Sequence, residues 1–337
     1  MSMNLQNTPT ISGGRKYYQG YDILKIILAI LIVAAHTRLF IELPEIHYYF
    51  SIFCSCAIPS FFAVSSFLFI KRLDSAKNCK EEKHILYKTI KRLIIIFIAW
   101  YLIMLPMTYA RFWETATLKE SIYALLLTCS LNGYWFFKAL IINTIILYLF
   151  RRGNRLGILS IAALMIYLFW AYNYQFHYVK LSISPYYSFY YHIFPFCVGA
   201  LFARKEWMTK ISVSMLILLF IICFIIASIK CVNPIGRMCY PIVLMPLFNK
   251  LHFQSLSPAI SFKFRHWSIL FYVLQFALIW IYDIAYSNYL TSYNRLYSFF
   301  DCSIVRFGII LSLLYIISIF ILRLEKIKGF SFLKYLH

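Results

Sequence analysis

Ten apolar stretches take up most of this chain, near residues 23–41, 47–70, 86–109, 133–150, 156–172, 187–203, 211–229, 238–252, 268–286 and 302–322. A helix needs about 20 apolar residues to cross a bilayer's hydrocarbon core. The 337 residues are filled by such segments and short connections, with no room for an ordinary soluble domain. Apolar residues make up 62% of the chain and charged residues 13%, against about 45–50% and about 25% in soluble domains. The expected fold is all-α, a polytopic membrane helix bundle of about ten transmembrane helices. Two regions fit less well: residues 118–131 form a short extra apolar patch, and Pro241 and Pro246 interrupt the eighth stretch. Residues 1–20 are polar and read as a cytoplasmic tail rather than a cleaved signal peptide. Residues 21–325 are expected to form the membrane domain and 326–337 a second cytoplasmic tail.

A net charge of +21 would suit a nucleic-acid partner, but its placement follows a membrane. Lys71, Arg72, Lys77, Lys80, Lys83, Lys88, Lys91 and Arg92 fall between the second and third stretches. Arg151, Arg152 and Arg155, then Arg204, Lys205 and Lys210, then Lys250, Lys263 and Arg265 fill alternate later connections, and the C-terminal tail is basic again. The other connections hold only scattered cations. This is the positive-inside pattern, which predicts cytoplasmic termini, membrane lipid as the surroundings and no nucleic-acid partner. The nine cysteines lie mostly in apolar stretches without histidines at zinc spacing, so no metal site is expected. No internal repeat is visible, which disfavours repeat-built transporter folds.

Ionisable residues inside lipid-spanning segments are costly and mark candidate functional sites. Lys25 and His36 lie eleven residues apart in the first stretch. On a helix that places them within about 20° of one face and about 16 Å apart along the axis. They line one wall of a cavity, or else Lys25 snorkels and His36 bonds a neighbouring helix. Arg38, Lys138, Asp283 and Arg306 lie toward the opposite side from the basic connections. They form a polar pocket for a hydroxylated acceptor, or Lys138 or Arg306 pairs with Asp283 or Asp301 to tie helices. Arg92, Lys91 and Lys88 cluster where the third stretch enters the membrane. They clamp the phosphates of a nucleotide-like donor, or serve as a topology determinant touching anionic lipid. The aromatic residues crowding 172–192 suit an interfacial belt or stacking on sugar rings.

These residues resemble the membrane acyltransferase-3 family of O-acyltransferases. Tyr21-Asp22-Ile23-Leu24-Lys25 with His36 matches its acidic residue, basic residue and, after ten intervening positions, histidine. Pro59-Ser60-Phe61-Phe62-Ala63-Val64-Ser65-Ser66-Phe67-Leu68 resembles the end of its second helix. Lys88-Thr89-Ile90-Lys91-Arg92 sits at its Arg-x-x-Arg pair, and Trp135-Phe136 and Phe194-Pro195-Phe196-Cys197-Val198-Gly199 also fit. Three positions depart: Ser66 for a glycine, Thr89 for the first arginine, and Gln275 where a histidine is frequent. The resemblance implies transfer of an acyl group, most often acetyl, from acetyl-CoA to a hydroxyl of a bacterial surface polysaccharide or lipid-linked oligosaccharide, in the inner membrane. It further implies His36 and Lys25 as catalytic residues, acyl-CoA on Arg92, Lys91 and Lys88, and acyl-CoA as co-substrate with no bound cofactor.

Two other readings remain at this point. One is a proton-coupled transporter or flippase built on His36 and the outer charges, and the other is an idle scaffold, suggested by the three departures. The separate membrane-bound O-acyltransferase superfamily uses a late histidine. Here His266 is expected at a loop edge and His192 near the outer interface.

Overall fold

The computed structural model describes residues 11–12, 15–16, 18–104, 133, 135–176, 188–204, 210–251, 257–287, 299–327 and 333. Extended structure among them is one two-residue ladder, Ile11–Ser12 (β1) with Arg15–Lys16 (β2). The helices are α1 (Gln19–His36), α2 (Pro44–Cys54), α3 (Ala57–Asp74), α4 (Cys79–Ile103), α5 (Trp135–Phe150) and α6 (Arg155–Phe176). They continue with α7 (Phe189–Arg204), α8 (Val213–Ser228), α9 (Asn233–Lys250), α10 (Pro258–Ala285) and α11 (Ser303–Leu324).

Where it is described, each expected apolar stretch is mostly helix, and the 118–131 patch lies outside the described residues. By length and composition five segments among the described residues can cross a membrane: Gln19–His36, Pro44–Asp74, Arg155–Asn173, Ala259–Ala285 and Ser303–Leu324. Large apolar side chains stand exposed at helical spacing, as with Ile158, Ile161, Met165 and Phe169 on α6 and Leu218, Ile221, Ile222 and Ile225 on α8. Stripes of that kind are tolerated when lipid covers them.

Several boundaries differ from the sequence expectation. The second stretch breaks after Cys54, because Pro59 has no N–H to offer the carbonyl of Ser55. The basic segment 71–92 is mostly helix rather than loop, and only residues 75–78 connect α3 to α4. Asn78 caps α4 by accepting from the Glu81 N–H at 2.9 Å, and the Glu81 carboxylate accepts from the Lys77 N–H at 2.8 Å. The ninth stretch begins ten residues early, at Pro258, with Ser257 as its cap. His266 therefore sits inside α10 and is buried, not at a loop edge. His192 is likewise buried in α7, stacked between the rings of Phe62 and Trp135 at 4.7 and 4.9 Å. The eighth stretch keeps Pro241 and Pro246 inside one helix, α9, where both are buried against neighbouring helices.

α1 is central, packing on α2, α3, α9, α10 and α11. The tightest approach described is α3 against α7. A Cβ on Gly199 would lie 1.9 Å from the Ala63 carbonyl oxygen and 2.2 Å from Ser66 Oγ. The space that a glycine at 66 would have supplied is thus opened from the opposite helix. Ser66 turns its hydroxyl onto Ala63 O at 2.9 Å. Gly20 makes the same kind of room, for the Phe248 carbonyl of α9.

One end of the bundle is clamped by charge. Arg151, buried at the end of α5, donates to the Glu82 carboxylate of α4, and its guanidinium lies 3.8 Å over the Tyr148 ring. Arg152 adds a bond to Glu82 at 2.9 Å. Arg204 of α7 donates to the Arg151 carbonyl and pairs with Asp74 of α3 at 3.6 Å. Glu82→Gln strands a buried guanidinium and is expected to cost about 3 kcal/mol. Arg152→Gln removes an exposed partner and should leave stability nearly unchanged. Melting temperatures in one detergent check the contrast, and equal effects would refute it.

Candidate active site along the first helix

At the start of α1, Asp22 is 2% exposed. It accepts from Arg265 Nε at 3.1 Å, from Arg265 Nη2 at 2.8 Å and from Ser261 Oγ at 2.6 Å, which binds α1 to α10. A forked guanidinium–carboxylate pair fixes direction as well as distance. One turn further along, half-buried Lys25 lies within electrostatic range of Asp22, Arg265, Arg72 and Arg92. Arg265 acts on Arg92 as well. α1, α3, α4 and α10 thus each bring a cation to the neighbourhood of Asp22. Arg92 itself is exposed to solvent.

The sequence named Arg92, Lys91 and Lys88 as partners. The structure puts Lys91 5.9 Å over the Tyr87 ring and leaves Lys88 exposed one turn before Arg92. Thr89 turns its hydroxyl to its own helix, onto Ile85 O at 2.8 Å. Arg72, Ser261 and Arg265 were not among the candidate residues of the sequence, and Asp22 entered only as part of a motif. The cap pair Ser257-Pro258 could have shown that Arg265 rides on a helix.

His36 is the last residue of α1 rather than a mid-helix group. The helix stops there because the backbone closes on itself. Arg38 N donates to Ala35 O at 3.2 Å and Leu39 N to Ala34 O at 3.1 Å, with Arg38 at φ 55°. This is a Schellman closure, whose left-handed position is usually glycine. An arginine there bears a strain of about 1–2 kcal/mol, and its exposed cation stands two residues past His36. The imidazole is hemmed in by protein yet accessible to solvent, and its ring meets the edge of Phe276 at 4.7 Å. Phe276 also closes over Gly133, which adopts φ 75°. Tyr272 Oη donates to the Gly133 carbonyl at 2.8 Å. Gln275, fully buried beside Phe276, donates to Tyr272 O at 3.0 Å and leaves its own oxygen without a partner.

The turn after His36 is anchored to α11. Ser303 Oγ accepts from Phe40 N at 2.8 Å and donates to Glu42 at 2.6 Å, and the Glu42 carboxylate also takes the Ser303 N–H. Partial burial pushes the Glu42 carboxyl up. The two Ser303 bonds, with a bond from its own backbone N–H and the nearby His47, together hold it below the usual carboxylate range. Arg306, on the next turn of α11, pairs with Asp283 of α10 at 2.6 Å. Of the four expected pocket residues, Asp283 and Arg306 are therefore joined in a helix tie. Arg38 is exposed at the turn, and Lys138 is half-buried one turn into α5. The aromatic segment between 177 and 187 lies outside the described residues.

α1 thus carries a cluster of cations near one end and an accessible imidazole at the other. Neither the curated proteins nor the solved structures give a match to the chain. A family model does match, that of the acyltransferase-3 group, described as an acyltransferase domain, over residues 18–336. The chain belongs to this family and is a membrane acyltransferase.

Proposed function

We propose that the protein moves an acyl group, most simply acetyl, from acyl-CoA to a hydroxyl of a cell-surface polysaccharide or lipid-linked sugar precursor, in a bacterial inner membrane. The observation that carries this is the polarity of α1. The cations around Lys25 suit the phosphates of CoA, and an open imidazole about 16 Å away suits a hydroxyl acceptor. In this reading the termini and the cationic end are cytoplasmic, and the chain crosses the membrane about ten times.

The pantetheine arm would extend from these cations past Lys25 toward His36. Neutral His36 takes the proton of the acceptor hydroxyl as its oxygen attacks the thioester carbonyl. The C–O bond forms, the C–S bond breaks, and the CoA sulfur leaves with the proton returned by the imidazolium. Arg38 and the Asp283–Arg306 pair would border the acceptor.

Surface glycans from cells with and without the gene, together with labelled acetyl-CoA given to the purified protein in nanodiscs, test the reading. One ester lost with the gene and label transferred to glycan support it. Unchanged glycans with no transferred label refute it.

A further inference from the structure

We infer that Phe276 is a positioning residue for the His36 imidazole, and that Gly133 fixes where the Phe276 ring stands. Together they do for this histidine what a carboxylate or carbonyl partner does for most histidine bases. This rests on the acyl-transfer reading above, in which His36 is the base.

The argument begins with what His36 lacks. A histidine base commonly keeps its direction through a hydrogen bond from its second ring nitrogen to a carboxylate or a backbone carbonyl. Among the described residues no hydrogen bond or charged group acts on the His36 ring. It ends α1 and is open to solvent. The ring contact described for it is with Phe276, at 4.7 Å between centroids and 61° between planes. Such an edge-on arrangement is a preferred aromatic geometry, so it favours one orientation of the imidazole over the others.

Phe276 is itself held in place. Its ring lies so close to Gly133 that a Cβ there would stand 2.5 Å from Cε2 and 2.7 Å from Cζ. Glycine is needed at 133 for a second reason, because the backbone takes φ 75°. The Gly133 carbonyl accepts from Tyr272 Oη at 2.8 Å, and Tyr272 lies one turn before Phe276 on α10. The residue that borders the ring is thus pinned to the same stretch of helix that carries the ring. Packing of this kind sets the direction of the imidazole without engaging either of its nitrogens. One nitrogen is then free to take the proton of the acceptor hydroxyl.

The test measures label transferred from acetyl-CoA to glycan taken from cells lacking the gene, with each variant in nanodiscs. Phe276→Leu should lower kcat about tenfold or more while leaving KM for acetyl-CoA within about twofold of wild type. Phe264→Leu removes another half-buried ring from α10, one that packs on Trp267. It should lower the melting temperature as much as Phe276→Leu does and leave kcat unchanged. An unchanged kcat in Phe276→Leu, or equal losses in both variants, overturns the proposal. Gly133→Ala should lower kcat by displacing the ring, so the double variant with Phe276→Leu should be no slower than Phe276→Leu alone. Losses that multiply would overturn the part assigned to Gly133. Nitrogen-15 NMR of histidine-labelled protein reads the orientation directly, with the His36 signals assigned by their loss in His36→Gln. These signals should shift in Phe276→Leu and Gly133→Ala but not in Phe264→Leu. If the wild type transfers no acetyl group, the acyl-transfer reading fails on its own. His36 signals that move with Phe276→Leu would then still support the ring as what orients the imidazole, and unmoved signals would overturn it.

Discussion

Replacing His36 with alanine is expected to lower acyl transfer by about 10²-fold or more while leaving the fold intact. The imidazole contributes little to the framework. It ends α1, stays open to solvent, and meets one described ring, Phe276. The turn that follows is closed by backbone bonds of Arg38 and Leu39 and by Thr37 Oγ1 donating to Val33 O at 3.0 Å. None of these uses the imidazole. Initial rates with labelled acetyl-CoA, set beside melting temperatures of both proteins, separate chemistry from folding. Wild-type turnover by a folded His36→Ala protein would remove the histidine from the mechanism. A parallel loss of stability would make it a packing residue.

The largest stability effect is expected from Gly199→Ala, a change of one methyl group. Its Cβ would enter the space of the Ala63 carbonyl oxygen at 1.9 Å, a contact with backbone that no rotamer change relieves. α3 and α7 would have to part, at a cost of about 3 kcal/mol or more. Ser66→Gly should not rescue it, because the clash with Ala63 O remains after the hydroxyl is gone. Gly157→Ala on α6, with nothing within 4 Å of the added carbon, should be neutral or stabilise by about 0.5–1 kcal/mol. Yield of monodisperse protein and its melting temperature read the contrast. A stable Gly199→Ala protein would show that the two helices are not held at this spacing.

Hydropathy located the helices well because apolar mass is a local property of the sequence. It located helix ends poorly. The charged turns of α4 and α10 are polar, so the apolar windows began at 86 and 268, while the caps at Asn78 and Ser257 start those helices earlier. That error carried over to the site. Arg265, counted as a loop charge, is a helix residue bonded to Asp22, 243 positions away in the chain. A fork across such a distance leaves no mark in local spacing. Lys25 and His36 were legible because they share one helix, and the 3.6-residue period alone relates them. A tie of Lys138 or Arg306 to Asp283 or Asp301 was one of two readings of these charges, and Arg306 with Asp283 is the pair that forms. Gly199 was read only as part of a motif. Its role depends on Ala63 across the α3–α7 contact, which sequence without a partner assignment does not reveal.

Both ends of α1 are fastened to the C-terminal third of the chain, Asp22 to Ser261 and Arg265, and the Phe40–Glu42 turn to Ser303. At ribosomal rates of about 5–20 residues per second, some 12–50 s separate synthesis of Asp22 from that of Arg265. During that interval α1 enters the membrane with its aspartate, lysine and histidine unmatched. The nascent chain must therefore rely on the insertion machinery to shelter a charged first helix until the tenth arrives. A ribosome that stops before α10 releases a product whose first helix lacks the partners of Asp22, and a protease can recognise it by that exposed charge.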